Sequence, residues 1–189
     1  MALFPLLQTL MERMPEAQKQ HGEPLCKQCD STIQPNVYAR ANSNVSQSKC
    51  VNGIWANLSL LWNIQSEVGD FQLDKERISL IIPKDGRYFV YSQVTFSCFR
   101  CNCEEDRCCR MKSKTVWLKM QYKTPAYENS AWTDFLISTS RMENNSINSV
   151  YVGGIKLLEK GDRVMVTVSH PGLVEPDQYY TFFGAYFIS

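Results

Sequence analysis

Two apolar runs flank a Pro-Lys-Asp-Gly turn within residues 78–96, and the second run is apolar on both of its faces. Successive side chains of a β-strand point to opposite faces of the sheet. Tyr88 and Val90 therefore share one face, which can line a core, while Phe89 and Tyr91 share the other. Such a strand must be covered twice, either by a second layer of the same chain or by another copy of the chain.

Short strand-like runs separated by turn signals fill most of the sequence after residue 55. Lys84-Asp85-Gly86 and His170-Pro171-Gly172 are typical turns. Because no helical periods intervene, this spacing predicts an all-β fold, either a sandwich or a barrel. The predicted strands are Asn57–Trp62, Phe71–Asp74, Ile78–Ile82, Gly86–Phe96, Thr115–Lys123, Trp132–Ser140, Ser149–Leu158, Arg163–Ser169 and Tyr179–Ile188.

The last predicted strand is also apolar on both faces, with Phe182 and Tyr186 on one face and Phe183 on the other. Tyr151 adds a further ring just before a Gly-Gly pair. One alternative is that all these rings fill the core of a single sandwich. We consider them too numerous for the inner face alone, and predict an oligomer interface made of aromatic strand faces.

The sequence divides into three predicted regions: a helix or stalk over residues 1–20, a polar, loop-rich leader over 21–54 and a β-domain over 55–189. Within the leader, Asn36–Ala41 is predicted to form an edge strand. The first region lacks a basic start and is interrupted by Pro5, so it does not fit a secretory signal well. A stalk helix is expected, with a cleaved leader or the remnant of a membrane anchor as alternatives. The sequence contains no apolar run of about 18 residues that would span a bilayer.

Charge and histidine content exclude several function classes. A net charge of +1 and a pI near 7.5 predict no attraction to nucleic acid or anionic membranes. The histidines, His21 and His170, do not stand at metal-ligand spacings, and no nucleophile elbow, phosphate-binding loop or zinc-protease motif occurs. We therefore predict a protein that is not an enzyme, with no cofactor, no bound metal and no small-molecule substrate.

Eight cysteines in 189 residues favour disulfides and an oxidising compartment. Five of them are concentrated in one segment, which also leaves an intracellular zinc site as an alternative. Three Asn-x-Ser/Thr triplets support the extracellular interpretation, with Asn44, Asn57 and Asn144 as glycosylation candidates. The disulfide candidates are Cys98, Cys101, Cys103, Cys108 and Cys109.

The run from Gly86 to Gln93, Gly-Arg-Tyr-Phe-Val-Tyr-Ser-Gln, resembles the signature Gly-x-Tyr-φ-φ-Tyr-Ser-Gln of the tumour necrosis factor ligand family. Three more blocks agree in order and spacing, and together they extend the resemblance over residues 55–189. These blocks are Leu60-Leu61-Trp62, Tyr151-Val152-Gly153-Gly154 and Thr181-Phe182-Phe183-Gly184-Ala185.

The resemblance implies a jelly-roll β-sandwich that forms a homotrimer and acts as a cytokine on cysteine-rich receptor ectodomains. It also implies an extracellular protein, secreted or shed from a type II membrane precursor. A complement-type globular head, with the same sandwich and trimer, is the alternative function. By motif matching, the family's trimer-axis aromatics correspond to Phe89, Tyr91, Tyr151 and Phe183. Its receptor-binding loops correspond to Pro125, Tyr127, Leu173 and Glu175.

The cysteines depart from the pattern that the resemblance implies. Many members of the family join two neighbouring loops by one disulfide. Here the first loop holds all five candidates from Cys98 to Cys109, whereas the second, residues 139–149, has no cysteine. The usual bridge therefore cannot form, and the pairing of these cysteines stays open.

Overall fold

The computed structural model describes residues 34–42, 50–51, 54–55, 58–100, 113–125, 131–143, 146–177 and 179–189. Two compact units are distinguished, Met1–Thr32 and Ile33–Ser189, and all described residues belong to the second. The predicted helix over residues 1–20 lies outside the described residues. Within the described ranges, no helical segment has the length and apolar character that crossing a bilayer requires.

The described part of the chain is built almost entirely from antiparallel β-strands. In chain order these are β1 Asn36–Ala41, β2 Cys50–Val51, β3 Ile54–Trp55, β4 Trp62–Val68, β5 Gln72–Leu73, β6 Ser79–Ile81, β7 Gly86–Ser97, β8 Ser113–Lys123, β9 Thr133–Glu143, β10 Ile147–Leu158, β11 Arg163–Val168 and β12 Phe182–Phe187. Two short 3-10 turns, Cys98–Arg100 and Pro171–Leu173, complete it. The all-β prediction is confirmed.

These strands form two five-stranded sheets and one small hairpin. The first sheet has the order β10-β7-β12-β1-β4, and the second has the order β5-β6-β11-β8-β9, while β2 pairs with β3. Each recorded strand pair is antiparallel. Neighbours in each sheet are mostly distant in sequence, as in sandwiches whose chain crosses between layers.

One apolar core joins the inward faces of the two sheets. The first sheet contributes Tyr88, Val90 and Phe183, and the second contributes Leu118 and Val164, all without solvent exposure. The phenol of Tyr88 donates a hydrogen bond to the Lys84 carbonyl at 2.8 Å, which satisfies the one polar group that this ring carries inward. The placement of Tyr88 and Val90 in the core is as predicted.

The structure corrects two details at the start of the β-domain. A strand was predicted at Asn57–Trp62, but β4 begins at Trp62 and continues to Val68. This strand lies at a sheet edge and exposes its last four residues. Exposed positions do not need apolar residues, so the apolar pattern that identifies a strand is missing there. Asn36–Ala41 is a strand with the predicted bounds, but it lies between β12 and β4 rather than at an edge.

Candidate functional site

The outward face of the first sheet carries a group of aromatic side chains, which we call the aromatic face. Register brings them together, because Phe89 stands opposite Tyr186 and Tyr91 stands opposite Gly184 in the β7–β12 pair. Tyr38 of β1 also stands opposite Gly184, from the other side. The aromatic face comprises Tyr38, Phe89, Tyr91, Tyr151, Phe182 and Tyr186.

Ring contacts connect most of this face. The Phe89 ring stacks on Tyr186 at a centroid distance of 5.3 Å and on Tyr91 at 6.1 Å. The Tyr91 ring meets Phe182 at 6.2 Å and Tyr186 at 6.4 Å. Phe182 in turn lies 5.8 Å from Tyr38. Rings at these distances attract one another through their quadrupoles and keep one another in place.

Two glycines leave room for these rings to lie against the sheet. A methyl group on Gly184 would stand 2.4 Å from the Tyr91 ring and 2.7 Å from the Val37 carbonyl. A methyl group on Gly153 would meet the Tyr151 hydroxyl at 2.8 Å and the Phe89 ring at 3.0 Å. The rings thus cover backbone where a larger residue than glycine would clash.

Much of this apolar surface is open to solvent. Tyr151 is 51% exposed and Tyr186 is 46% exposed, and the flanking Ile155 and Leu157 are still more open. A contiguous apolar patch of this kind is uncommon on a protein that stays monomeric, and usually marks an interaction surface. The geometry therefore indicates a docking face rather than a pocket for a small molecule.

Two phenols on this face, those of Tyr38 and Tyr91, have a raised pKa. Burial raises the pKa of Tyr91, and nearby Tyr38, Tyr151 and Tyr186 raise it further. The pKa of Tyr38 is also raised, chiefly by burial and secondarily by Tyr179. At neutral pH these two phenols are uncharged, and their hydroxyls can still form hydrogen bonds.

The sequence-predicted interface residues separate into two groups. Phe89, Tyr91 and Tyr151 lie together on the outward face. Phe183 does not: it has no exposed surface, and its ring packs against Trp62 at 5.3 Å inside the core. The prediction for Phe183 is wrong, because alternation along β12 places Phe182 outward and Phe183 inward.

Sequence reasoning also missed part of the aromatic face. Phe182 and Tyr186 were recognised as sharing a side of the last strand, but they were not assigned to the interface. Tyr38 was missed altogether. Tyr38 reaches this face because β1 pairs with β12. No sequence signal predicts a pairing between strands that are so far apart in the chain.

The predicted receptor-binding residues are not equally accessible. Pro125 is exposed just after β8. Leu173 is 1% exposed and belongs to the core, so its side chain cannot contact a receptor, and that prediction is wrong. Glu175 is half-buried, and its amide donates to the Thr95 carbonyl at 2.8 Å. Tyr127 lies outside the described residues.

The cysteine and glycosylation predictions fall mostly outside the described residues. Cys98 is buried, and its Sγ donates to the Glu143 carbonyl at 3.8 Å. The other disulfide candidates and all three glycosylation candidates are not described, namely Cys101, Cys103, Cys108, Cys109, Asn44, Asn57 and Asn144. Among the residues that are described, no group of three or more His, Cys, Asp or Glu could hold a metal ion.

Comparison with known proteins decides the family. Residues 60–188 match the family described as TNF (Tumour Necrosis Factor) family. That match covers well over half of the chain, including both five-stranded sheets apart from β1. The chain belongs to the tumour necrosis factor family. The family resemblance of the β7 motif is thereby confirmed.

Individual relatives agree with this assignment. The chain is similar to tumor necrosis factor ligand superfamily member 15 of Mus musculus, with 34% identity over 114 residues, which are 58% of this chain and 45% of that protein. It is similar to member 10 of Mus musculus, with 30% identity over 118 residues, 58% of this chain and 39% of that protein. It is also similar to member 11 of Homo sapiens, with 31% identity over 112 residues, 57% of this chain and 33% of that protein.

The matches span between a third and about half of the length of these relatives, 33–45%. The names of the relatives describe ligands, and the tumour necrosis factor family consists of cytokines rather than enzymes. The prediction that this chain is not an enzyme is therefore confirmed by its family.

Proposed function

We propose that this chain is a cytokine ligand that forms a homotrimer through its aromatic face and clusters cysteine-rich receptor ectodomains outside the cell. The observation that carries the proposal is the exposed aromatic face on a member of the tumour necrosis factor family. The family match favours this function over the complement-type head. We propose neither nucleic acid nor a small-molecule substrate as a partner, in line with the near-neutral net charge of +1.

The aromatic face is better covered by another copy of the same chain than left in contact with water. In a closed cyclic assembly each copy packs the same surfaces against its neighbours, so the apolar face of every copy is covered. Phe89, Tyr91 and Tyr151 would then turn towards a shared axis. Burying apolar surface contributes roughly 25 cal/mol per Å², and rings as large as these dominate such interfaces. The number of copies, three, is what the family resemblance implies.

We propose that the receptor binds the segment that follows β8 and the segment that contains Glu175. Pro125 is exposed two residues after the end of β8, and Tyr127 is two positions further along the sequence. A tyrosine is a suitable anchor for a receptor, being rigid, largely apolar and able to form one hydrogen bond. Glu175 is half-buried and follows the second 3-10 turn, Pro171–Leu173, by two residues. We propose an extracellular location, by secretion or by release from a type II membrane precursor.

Two measurements test the proposal. Light scattering of the purified chain at micromolar concentration is expected to give three times the mass of one chain. Binding to a panel of receptor ectodomains of the tumour necrosis factor receptor type is expected to select at least one of them. Tyr127→Ala is expected to weaken that binding and leave the mass unchanged, with Gln121→Ala, within β8 itself, as its control.

The outcomes separate the two parts of the proposal. A monomer at that concentration would contradict the assembly. A trimer that binds no receptor in the panel would contradict the cytokine role. A trimer whose affinity for its receptor is the same with Tyr127→Ala would remove Tyr127 from the binding site.

A further inference from the structure

Tyr179 is the most exposed of the large aromatic and aliphatic side chains that are open to solvent in the described residues, at 76%. It lies in the turn that leads into β12, close enough to Tyr38 of the aromatic face to raise the pKa of that residue. Its neighbour Tyr180 is less open, at 51%. A phenol held this far into solvent gains little from packing and is accessible to an enzyme.

The turn holds the two tyrosines differently. The Asp177 carboxylate accepts the Tyr179 amide at 2.9 Å, and the Asp177 carbonyl accepts the amides of Tyr180 and Thr181 at 3.0 Å each. The Tyr180 carbonyl accepts from the Gln93 side chain at 3.3 Å and from the Thr95 hydroxyl at 2.9 Å. Tyr180 is thereby fixed to β7, whereas Tyr179 stands at the outer side of the turn.

Charge around this turn has one sign along the chain. From residue 164 to residue 189 the sequence has no lysine or arginine. Glu175 and Asp177 precede Tyr179 by four and two positions, and Asp177 is exposed. The phenol of Tyr179 is thus presented on an acidic, turn-forming segment at the protein surface.

We propose that Tyr179 is an acceptor site for tyrosine O-sulfation. The donor is a nucleotide that carries sulfate in a mixed phosphate–sulfate anhydride. The Tyr179 phenol oxygen bonds to the sulfur as the bond from sulfur to the donor phosphate oxygen breaks. The phenol proton passes to a base of the transferase. The products are a tyrosine sulfate ester and the nucleotide bisphosphate, and nothing is oxidised or reduced.

Charge explains why this segment suits such an enzyme. A transferase that binds a polyanionic donor has a positively charged active site, which attracts an acidic acceptor segment and disfavours a basic one. Exposure of the phenol then allows the sulfur to be reached without unfolding the sheet. Because sulfation of this kind takes place on proteins in the secretory pathway, the inference rests on the extracellular location proposed above.

A purified enzyme tests the acceptor site without relying on export. The full chain is incubated with a tyrosylprotein sulfotransferase and a radioactive sulfate donor, and label is measured on the protein. We expect label on the unmodified chain and on Tyr180→Phe, and loss of nearly all label with Tyr179→Phe. Asp177→Asn is expected to reduce labelling several-fold, since it removes the charge but keeps an oxygen that can accept the Tyr179 amide.

The same variants are then expressed in mammalian cells fed radioactive sulfate, and N-glycans are removed enzymatically before counting. Secreted chain that carries label sensitive to Tyr179→Phe supports the proposal. Absence of label with the purified enzyme, or label unaffected by Tyr179→Phe, overturns it. Unlabelled secreted chain also overturns it. Labelling by the purified enzyme of a chain that cells never export supports the acceptor site and contradicts the extracellular location instead.

Discussion

The outward faces of the two sheets differ in how their side chains are satisfied. On the second sheet, Lys119 and Asp134 form an ion pair at 2.8 Å, and the Gln121 amide donates to Asp134 at 2.7 Å. The Lys119 ammonium also lies 5.3 Å from the centre of the Trp117 ring. These polar side chains find partners within one chain, although Ile137, opposite Lys119 in the β8–β9 pair, is 60% exposed.

The outward face of the first sheet leaves large apolar side chains in contact with water. Its outward rings contact one another, yet Tyr151 and Tyr186 keep about half of their surface exposed. Both faces belong to five-stranded sheets over one shared core, so the difference does not come from the fold. The first sheet thus leaves apolar surface in water that the proposed homotrimer would cover, and the predictions below probe that contrast.

The largest effect is expected from a charge placed on the aromatic face. Tyr91→Arg should abolish assembly, because each copy would bury a guanidinium among rings without a counter-charge. Light scattering should then give the mass of one chain. Gln121→Arg is the matched control on the second sheet, where the new cation faces Asp134, and it should keep the mass of the unmodified protein. Equal behaviour of the two variants would refute the contrast between the faces.

Two neighbouring phenylalanines of β12 allow the stability contributions of the core and of the aromatic face to be compared. Phe183→Ala should lower the free energy of unfolding by about 3–5 kcal/mol, since it empties a fully buried site. Phe182→Ala should cost less than half as much within a single chain. Denaturant unfolding in the Tyr91→Arg background excludes any contribution of assembly. Similar losses for both would mean that the outward ring is packed as tightly as the inward one.

Alkaline pH should act on the aromatic face through Tyr91. Burial, helped by nearby tyrosines, raises its pKa above the ordinary 10.0, so the folded state favours the protonated phenol. The resulting stabilisation is complete below pH 10.0 and is lost as the pH rises through the folded-state pKa. Tyr91→Phe should therefore show a smaller fall in unfolding free energy above that pH. Tyr180→Phe is the control, and an unchanged fall in Tyr91→Phe would contradict this role.

The smallest effect is expected on the second sheet. Hydrogen bonds from Lys119 and Gln121 lower the pKa of Asp134 below its ordinary 3.8. Its stabilisation is present above that value and is lost as the pH falls through the lowered pKa. Because its side chain is 55% exposed, Asp134→Asn should cost only about 0.2–1 kcal/mol, and less at high salt. A change in oligomeric mass would be unexpected and would link this face to assembly.

Much of the fold could be predicted from local patterns. Strands β7, β8, β10 and β11 lie within a few residues of their predicted bounds, because each combines alternating apolar residues with clear turn signals. β4 was placed too early, since its exposed edge position requires few apolar residues. The aromatic face was predicted in part, from Phe89, Tyr91 and Tyr151, but Tyr38 depended on a strand pairing that spans most of the chain.

Sequence by itself determined that β7 and β12 each carry rings on both faces, because the period of a strand is two. It also pointed to the family, through the motif from Gly86 to Gln93 together with three further blocks, and the match over residues 60–188 confirmed it. It could not determine which face of β12 is inside, and Phe183 was accordingly misplaced. Only the packing of the second sheet decided that, since burial depends on what covers a face, and the covering residues come from strands far away in the chain.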